Sequence, residues 1–370
     1  MINQIDIKNF KSVFEVQLEC ANLTLLSGAN GSGKSTILQT LLVLLQSSIE
    51  PEQINLSLNG AYIQLGTAFD IEYEWSTEDS TSIEITYLVE GHAPAKIEFK
   101  VDFNDTRDVI SIPTQDASTL FSFVKNLKYL SASRISPSHI FPYSTNEIET
   151  RKNLGIHGEF SIGYLKKNGD KPIPVLGMCH PNQKQHGIED SLLANVNAWM
   201  QLISPGVQIS PSIEQDIAAS KVKYGYHGLA QSLSSHNVGF GITYVLPVVT
   251  RILMSEKTDI LILENPEAHV HPRGQVELGR LIATAAENGI QIFLETHSDH
   301  IFNGIRLQLK QSENAESNIK NCAMYYVDRK RTERGFMSTF ERIELSKDAR
   351  IKKAPVGFFD EWEASIMELL

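Results

Sequence analysis

One glycine-rich stretch decides the fold of this chain: Gly28-Ala29-Asn30-Gly31-Ser32-Gly33-Lys34-Ser35-Thr36. Its spacing is the pattern of a phosphate-binding loop, in which glycines let backbone N–H groups wrap phosphate oxygens at the start of a helix. An apolar run at residues 23–26 leads directly into the loop, and leucines follow it at helical spacing, at positions 38, 41, 42 and 45. The order of strand, glycine loop and helix predicts an α/β fold with a nucleotide site.

Within the loop, residues of three chemical kinds are expected to bind nucleotide. These are the glycines, one cation and several hydroxyl or amide side chains: Gly28, Asn30, Gly31, Ser32, Gly33, Lys34, Ser35 and Thr36. Lys34 would reach the β and γ phosphates, and the Ser35 hydroxyl would ligate Mg²⁺. ATP and Mg²⁺ are therefore the predicted cofactors.

A second segment ends an apolar strand in acidic residues: Asp259-Ile260-Leu261-Ile262-Leu263-Glu264-Asn265-Pro266-Glu267. A carboxylate at such a strand tip holds the magnesium shell and orients water in P-loop enzymes. Glu264 is the predicted magnesium-side group. Taken alone, the segment would fit a solvated strand end better.

A third strand ends in Leu294-Glu295-Thr296-His297-Ser298. A lone histidine is more often structural than catalytic, but one that directly follows a core strand can donate a hydrogen bond to a γ-phosphate. His297 is therefore a candidate catalytic residue.

Together these segments resemble the RecF, SMC and OLD-type ATPases, the branch of ABC-type enzymes that acts around DNA. The resemblance includes the opening Ile7-Lys8-Asn9-Phe10-Lys11-Ser12, and it is greatest for small stand-alone members that carry Glu264-Asn265-Pro266-Glu267-Ala268-His269, an arginine at Arg134 and a tail Pro355-Val356-Gly357-Phe358-Phe359-Asp360. It implies a P-loop NTPase of ABC-ATPase type: a mixed core sheet flanked by helices, with an added antiparallel β subdomain and an inserted helical or irregular region.

The resemblance also implies an ATP sandwich between two cores, in which a signature segment of one core contacts the nucleotide of the other. Asn237, Gly239 and Gly241 lie in the best candidate segment, so a homodimer or higher homo-oligomer is expected. One position departs from the family pattern: Asn265 stands where the water-orienting glutamate is usual. Because an amide is no base, either Glu264 or Glu267 takes that role, or ATP acts mainly as a clamp.

The chain divides on its patterns into four segments. We predict an N-terminal ATPase lobe with the P-loop and antiparallel β subdomain at 1–135, an insertion at 136–221, a C-terminal ATPase lobe at 222–305 and an extension at 306–370. Alternating residues predict strands at 69–75 and 82–87, and the insertion contains one predicted helix at 188–202. About seventy residues follow His297, which is short for an additional nuclease domain.

Composition limits the partners. The net charge of -11 excludes a global basic field, so any DNA contact needs a local patch. Short charge runs of this kind are more often solvated faces than DNA grooves, and the candidate patches are Lys125 with Lys128, Lys166 with Lys167, and Arg329, Lys330 and Arg331. Three dispersed cysteines and no signal-like or membrane-length apolar segment predict a cytoplasmic protein without membrane contact, disulfides or structural zinc.

His269 and His271, two residues apart beside a proline, lack a ligand frame, so packing or capping is expected of them.

The resulting hypothesis is an ATP-binding ATPase, possibly slow, whose ATP-dependent dimerisation regulates a DNA-related process such as antiviral defence or repair, with a separate nuclease or effector protein. The alternative is a nucleotide-dependent assembly scaffold with little turnover. A transporter ATPase is disfavoured because no Leu-Ser-Gly-Gly-Gln segment is present.

Overall fold

The computed structural model describes residues 1–114, 116–180, 190–333, 335–353, 355 and 357–358. These residues form two compact units that each contain several chain segments. The first unit comprises residues 1–128, 293–297 and 319–370, and the second comprises residues 129–292 and 298–318.

The helices are α1 (Lys34–Gln46), α2 (Ala117–Lys125), α3 (Ser161–Asn168), α4 (Leu192–Ile203), α5 (Phe240–Leu253), α6 (Pro272–Glu287), α7 (Asp299–Gln311) and α8 (Ala315–Lys320). The strands are β1 (Ile2–Phe10), β2 (Val13–Glu19), β3 (Leu23–Gly28), β4 (Ser48–Ile49), β5 (Gln53–Ser57), β6 (Ser80–Tyr87), β7 (Ala95–Asp102), β8 (Val109–Pro113), β9 (Leu127–Leu130), β10 (Phe141–Pro142), β11 (Val207–Glu214), β12 (Ala219–Tyr226), β13 (Leu233–Ser234), β14 (Ile260–Glu264), β15 (Gln291–Glu295), β16 (Cys322–Thr332), β17 (Gly335–Arg342), β18 (Glu344–Leu345) and β19 (Ile351–Lys353).

The first unit contains an antiparallel sheet in the order β2-β1-β6-β7. Its strands alternate buried and solvent-facing residues, as β6 shows along its whole length, because one face packs on the core. This sheet is the antiparallel subdomain that the sequence predicted.

The core strands of the same unit run in the order β17-β16-β3-β15. Strand β16 is parallel to β3 and antiparallel to β17, so the core sheet is mixed, as predicted. Strand β3 is buried over five of its six residues, which explains its apolar sequence. It runs directly into the glycine loop and then into α1.

The second unit contains strand β14, an antiparallel sheet built on β11 and β12, and the helices α3 to α7. Helices α6 and α7 approach closely because glycines meet backbone there: a side chain at Gly304 would lie 2.1 Å from the Val276 carbonyl oxygen. Strand β14 confirms the apolar strand predicted before Glu264, and helix α6 follows it in the chain.

One strand prediction is wrong. Residues 69–75 alternate in sequence, but Phe69–Ile71 forms a 3₁₀ turn. The Asp70 carboxylate accepts hydrogen bonds from the Thr67 backbone N–H (2.7 Å) and hydroxyl (2.9 Å), so local side-chain bonding replaces strand pairing.

The insertion holds more structure than predicted. The start of the predicted helix, residues 188–189, lies outside the described residues, and the described helix α4 begins at Leu192. The β11–β12 hairpin and helix α3 were missed, because proline and glycine interrupt the periodic patterns there. The four-segment division of the chain stays a prediction.

Candidate nucleotide-binding site

The glycine loop takes backbone conformations that suit glycine. Gly28, Gly31 and Gly33 all have positive φ, at 146°, 74° and 105°. A side chain at Gly28 would lie 1.9 Å from the Val327 carbonyl oxygen, and one at Gly33 would lie 2.2 Å from the Ser338 Oγ. The first and third glycines are therefore required by packing as well as by backbone angle.

Strand β17 and the β1–β2 turn brace the base of the loop. The Ser338 hydroxyl donates to the Ser32 carbonyl (2.6 Å) and to the Ser12 hydroxyl (2.7 Å). The Ser338 backbone N–H also donates to the Ser12 carbonyl at 2.8 Å. Sequence reasoning missed this brace, because a single serine 300 residues downstream gives no local signal.

The Lys34 ammonium points back over the loop. Its Nζ donates to the carbonyl oxygens of Gly28 (3.0 Å) and Ala29 (2.7 Å), and the residue is 3% exposed. Asn30 and Gly31 are exposed at the loop's crest, while Thr36 is buried in the first turn of α1. The lysine is thus held where phosphate oxygens would replace carbonyl oxygens as its partners.

The Ser35 side chain contacts the carboxylate of Glu295, to which the sequence analysis gave no role. Its hydroxyl donates to Glu295 Oε1 at 3.0 Å, across 260 residues of sequence. Glu295 is 5% exposed and ends β15, next to β3 in the strand order. The first unit therefore supplies a hydroxyl and a carboxylate oxygen together, both of them ligands that Mg²⁺ prefers.

His297 follows two residues later and faces the same loop. Burial lowers the pKa of its partly exposed ring, the nearby charge of Lys34 lowers this pKa further, and a hydrogen bond with the Gly28 backbone opposes the shift. The imidazole is therefore neutral at pH 7 and carries one N–H donor.

The loop fits a Mg²⁺-bound nucleoside triphosphate. Its crest is open, since a side chain at Gly31 would meet nothing within 4 Å. Ser32 Oγ is buried and has no hydrogen-bond partner among the described residues, which leaves a hydroxyl for a phosphate oxygen. Lys34 and the start of α1 add positive charge. When bound, Mg²⁺ would neutralise phosphate charge, held by Ser35 and Glu295.

Glu264 lies at the end of β14 in the second unit. Its Oε2 accepts hydrogen bonds from the Tyr129 hydroxyl (3.0 Å) and the Ala132 backbone N–H (3.3 Å). Burial raises the pKa of Glu264, and these two donors with the Arg134 charge limit the rise. A buried carboxyl group with a raised pKa is a candidate for general acid–base chemistry.

Arg134 has a structural role that the sequence analysis did not predict. It is 6% exposed, and its guanidinium donates to the carbonyls of Ser131 (2.9 Å), Glu264 (2.8 Å), Asn265 (2.5 Å) and Tyr244 (3.2 Å). Its carbon Cζ also lies 4.4 Å from the Tyr244 ring centroid. Arg134 therefore binds backbone and fixes the turn after β14.

That turn explains the unusual asparagine. Asn265 has φ of 41°, a left-handed conformation that asparagine tolerates better than glutamate does. Glu267 is 8% exposed, and its charge acts on Arg134. Packing and capping are confirmed for the two histidines: His269 lies against Phe240, and His271 caps α6.

The signature-like segment leads into α5 as predicted. Asn237 ends a 3₁₀ turn, and Gly239 precedes the first helical residue. A side chain at Gly241 would lie 2.1 Å from the His269 carbonyl oxygen, so this glycine packs the helix start against the turn that follows β14. Contact with a second chain stays a prediction.

The basic clusters differ in their surroundings. Lys128 donates to the Lys125 carbonyl at 2.7 Å, and Lys167 pairs with Glu149 at 3.0 Å. Arg329 lies over a phenylalanine ring, at 5.2 Å from its centroid.

Phe358 packs edge-on against Tyr326, and Phe359 and Asp360 lie outside the described residues. The three cysteines form no disulfide, and among the described residues no helix is long and apolar enough to span a membrane and no cluster suits a metal bound by His, Cys, Asp and Glu.

Comparison with known proteins supports the class that this geometry defines, a P-loop fold of ABC-ATPase type. Residues 1–164 match the family described as AAA ATPase domain. Residues 179–303 match an AAA domain family whose description names the AbiEii toxin and type IV TA systems, and residues 318–369 match a family of unknown function.

Similar individual proteins agree with these matches. The chain is 23% identical to the OLD nuclease of Thermus scotoductus over 324 residues, which is 80% of this chain and 59% of that protein. An Smc head domain derived from Pyrococcus furiosus, with an extended coiled coil and bound to the C-terminal domain of ScpA, superposes with a TM-score of 0.57 at 12% identity, over 100% of this chain and 98% of that one. An SmcHead bound to the C-winged helix domain of ScpA gives 0.56 at 13% identity, over 93% and 98%. The chain therefore has the fold of an ABC-type P-loop ATPase and is similar to RecF/SMC/OLD-like proteins.

Proposed function

We propose that the chain binds Mg-ATP on the glycine loop at 28–36 and hydrolyses it. The observation that carries this proposal is the hydrogen bond from Ser35 to Glu295 next to Lys34, because a hydroxyl, a carboxylate and a cation then lie together within the first unit. His297 would donate its N–H toward the γ-phosphate. Glu264 and Glu267 remain the proposed catalytic carboxylates, with Glu264 also proposed on the magnesium side.

Calorimetric titration with Mg-ATP tests the binding site. Lys34→Ala should remove binding, because a methyl group cannot replace the ammonium charge at the phosphates. Glu295→Gln should weaken binding in the presence of Mg²⁺ and leave Mg²⁺-free ATP binding nearly unchanged. Lys310→Ala is a matched control at an exposed lysine of α7. Micromolar Mg-ATP binding by folded Lys34→Ala protein would refute the site.

We propose further that ATP drives self-association, since Asn237, Gly239 and Gly241 head a helix whose N–H groups suit a second chain's phosphate. Sedimentation of Glu264→Gln protein with saturating ATP should show the dimer. An unchanged mass would remove the sandwich from the proposal.

The biological half of the proposal is a DNA-related process in the cytoplasm, such as antiviral defence or repair, with a separate effector. Its support is the similarity to an OLD nuclease, of which this chain spans only 59%. Duplex DNA affinity should rise with ATP and fall steeply with salt. Equal weak binding with and without ATP would shift the proposal to a protein partner.

A specific observation favours a second candidate, a nucleotide-dependent scaffold with little turnover. Asn265 stands at the base position and its Oδ1 is buried without a hydrogen-bond partner among the described residues, so this side chain activates no water. Steady-state turnover abolished by Lys34→Ala supports the enzyme. Tight binding without turnover supports the scaffold.

A further inference from the structure

The β16–β17 hairpin extends past the glycine loop. Strand β16 pairs with β3 from Cys322 to Val327, and Val327 lies opposite Gly28, where β3 becomes the loop. Strand β16 continues for five more residues to Thr332 before the chain returns as β17. At the usual rise per residue this end of the hairpin extends roughly 17 Å beyond the last β3 pair. It therefore forms a wall beside the loop within the first unit.

One face of this wall is fixed by its contact with the loop. Ser338 touches the loop at Ser32 and Gly33, and it lies opposite Arg329 in the strand register. Since side chains alternate along a strand, Phe336, two residues before Ser338, lies on the same face. Phe336 is thus one strand repeat, about 7 Å, beyond the residue that braces the loop.

This face carries exposed aromatic surface. Phe336 is 52% exposed, and the Arg329 guanidinium carbon lies 5.2 Å from its ring centroid. An aromatic ring next to a guanidinium offers flat surfaces on which a nucleobase stacks.

We propose that Phe336 and Arg329 form the stacking platform for the purine base of the nucleotide whose phosphates lie on the glycine loop. This inference rests on the proposed binding of a nucleoside triphosphate there. In such a ligand the ribose separates the base from the phosphates, so the base has to lie beyond the loop, as Phe336 does. The same surface chemistry also suits single-stranded nucleic acid, but contact of this face with the loop favours the mononucleotide.

The experiment compares ATP with inorganic tripolyphosphate, which lacks a base, by calorimetry in Mg²⁺. In the wild-type protein ATP should bind more tightly than tripolyphosphate. Phe336→Ala should lower ATP affinity roughly tenfold and leave tripolyphosphate affinity unchanged, because only the stacking contribution is lost. Phe336→Trp should restore ATP affinity. Phe121→Ala, at a phenylalanine of α2 that is 59% exposed in the same unit, should change neither affinity.

The possible outcomes separate this inference from the function on which it rests. Equal wild-type affinities for the two compounds, or equal losses of both in Phe336→Ala, would leave the phosphate site intact and refute the base platform. Loss of oligonucleotide binding in Phe336→Ala with unchanged ATP affinity would also refute it and assign the face to nucleic acid. Wild-type protein that binds neither compound would overturn the proposed function and this inference together.

Discussion

Replacing Arg134 with methionine should destabilise the second unit strongly. The guanidinium donates to four backbone carbonyls in a site that is 6% exposed, and a hydrogen bond from a charged donor contributes roughly 1.5–3 kcal/mol. Burial opposes this gain, because it lowers the pKa of Arg134 to about 10, which still leaves the group charged at neutral pH. Removing one member of such a buried network costs about 3–5 kcal/mol.

Thermal unfolding followed by circular dichroism measures the effect. For a unit of this size, a loss of that order lowers Tm by roughly 6–20 °C. The control is Arg151→Met in the same unit, where an exposed arginine pairs with Glu147 at 3.1 Å and contributes less than about 1 kcal/mol. Equal melting temperatures for the two variants would show that Arg134 does not hold the turn after β14.

Three further predictions concern the glycine loop, Glu264 and His297. Gly33→Ala should cost more stability than Gly31→Ala in urea unfolding, because both have positive φ but only the first side chain would strike Ser338; equal losses would contradict the clash. Glu264→Gln should raise Tm at pH 7, because the raised pKa of Glu264 means that its ionised carboxylate is less stable in the folded protein than in the unfolded chain. The gain in Tm should vanish below about pH 4.5, where the carboxyl group is protonated in both states. A difference in Tm that does not depend on pH would refute this reasoning. His297 should take up a proton when Mg-ATP binds at a pH near the unshifted histidine pKa, because the negative phosphates raise the lowered pKa of this imidazole. Calorimetry in buffers of different ionisation enthalpy measures this proton uptake. Uptake that persists in His297→Gln protein would assign the proton to another group.

The glycine loop and the strands around it could be predicted from the sequence, because their signals are local. Residues 23–36 carry a complete strand, turn and helix pattern, and β14, α6 and β15 repeat the same kind of pattern downstream. The resemblance to a known family then ordered these segments into one fold. Alternation alone misled at residues 69–75, where the hydrogen bonds of Asp70 are stronger local determinants than the pattern.

The supports of the site could not be predicted, because they depend on contacts between distant segments. The brace from Ser338 to Ser32 joins residues 306 positions apart, and neither serine has a sequence context that marks it. The family pattern pointed to Arg134 without giving its role. Only the structure shows its donors on the carbonyls of Glu264 and Asn265.

Glu295 and Glu264 end two strands that are neighbours in the strand order, yet their surroundings fit them for different chemistry. Glu295 accepts a hydrogen bond from the Ser35 hydroxyl at 3.0 Å, so this carboxylate lies with a hydroxyl oxygen of the kind that Mg²⁺ prefers. Glu264 is buried, which raises the pKa of its carboxyl group, and it accepts hydrogen bonds from the Tyr129 hydroxyl and the Ala132 backbone N–H. Because the amide of Asn265 cannot act as a base, Glu264 and Glu267 stay the proposed candidates for that role.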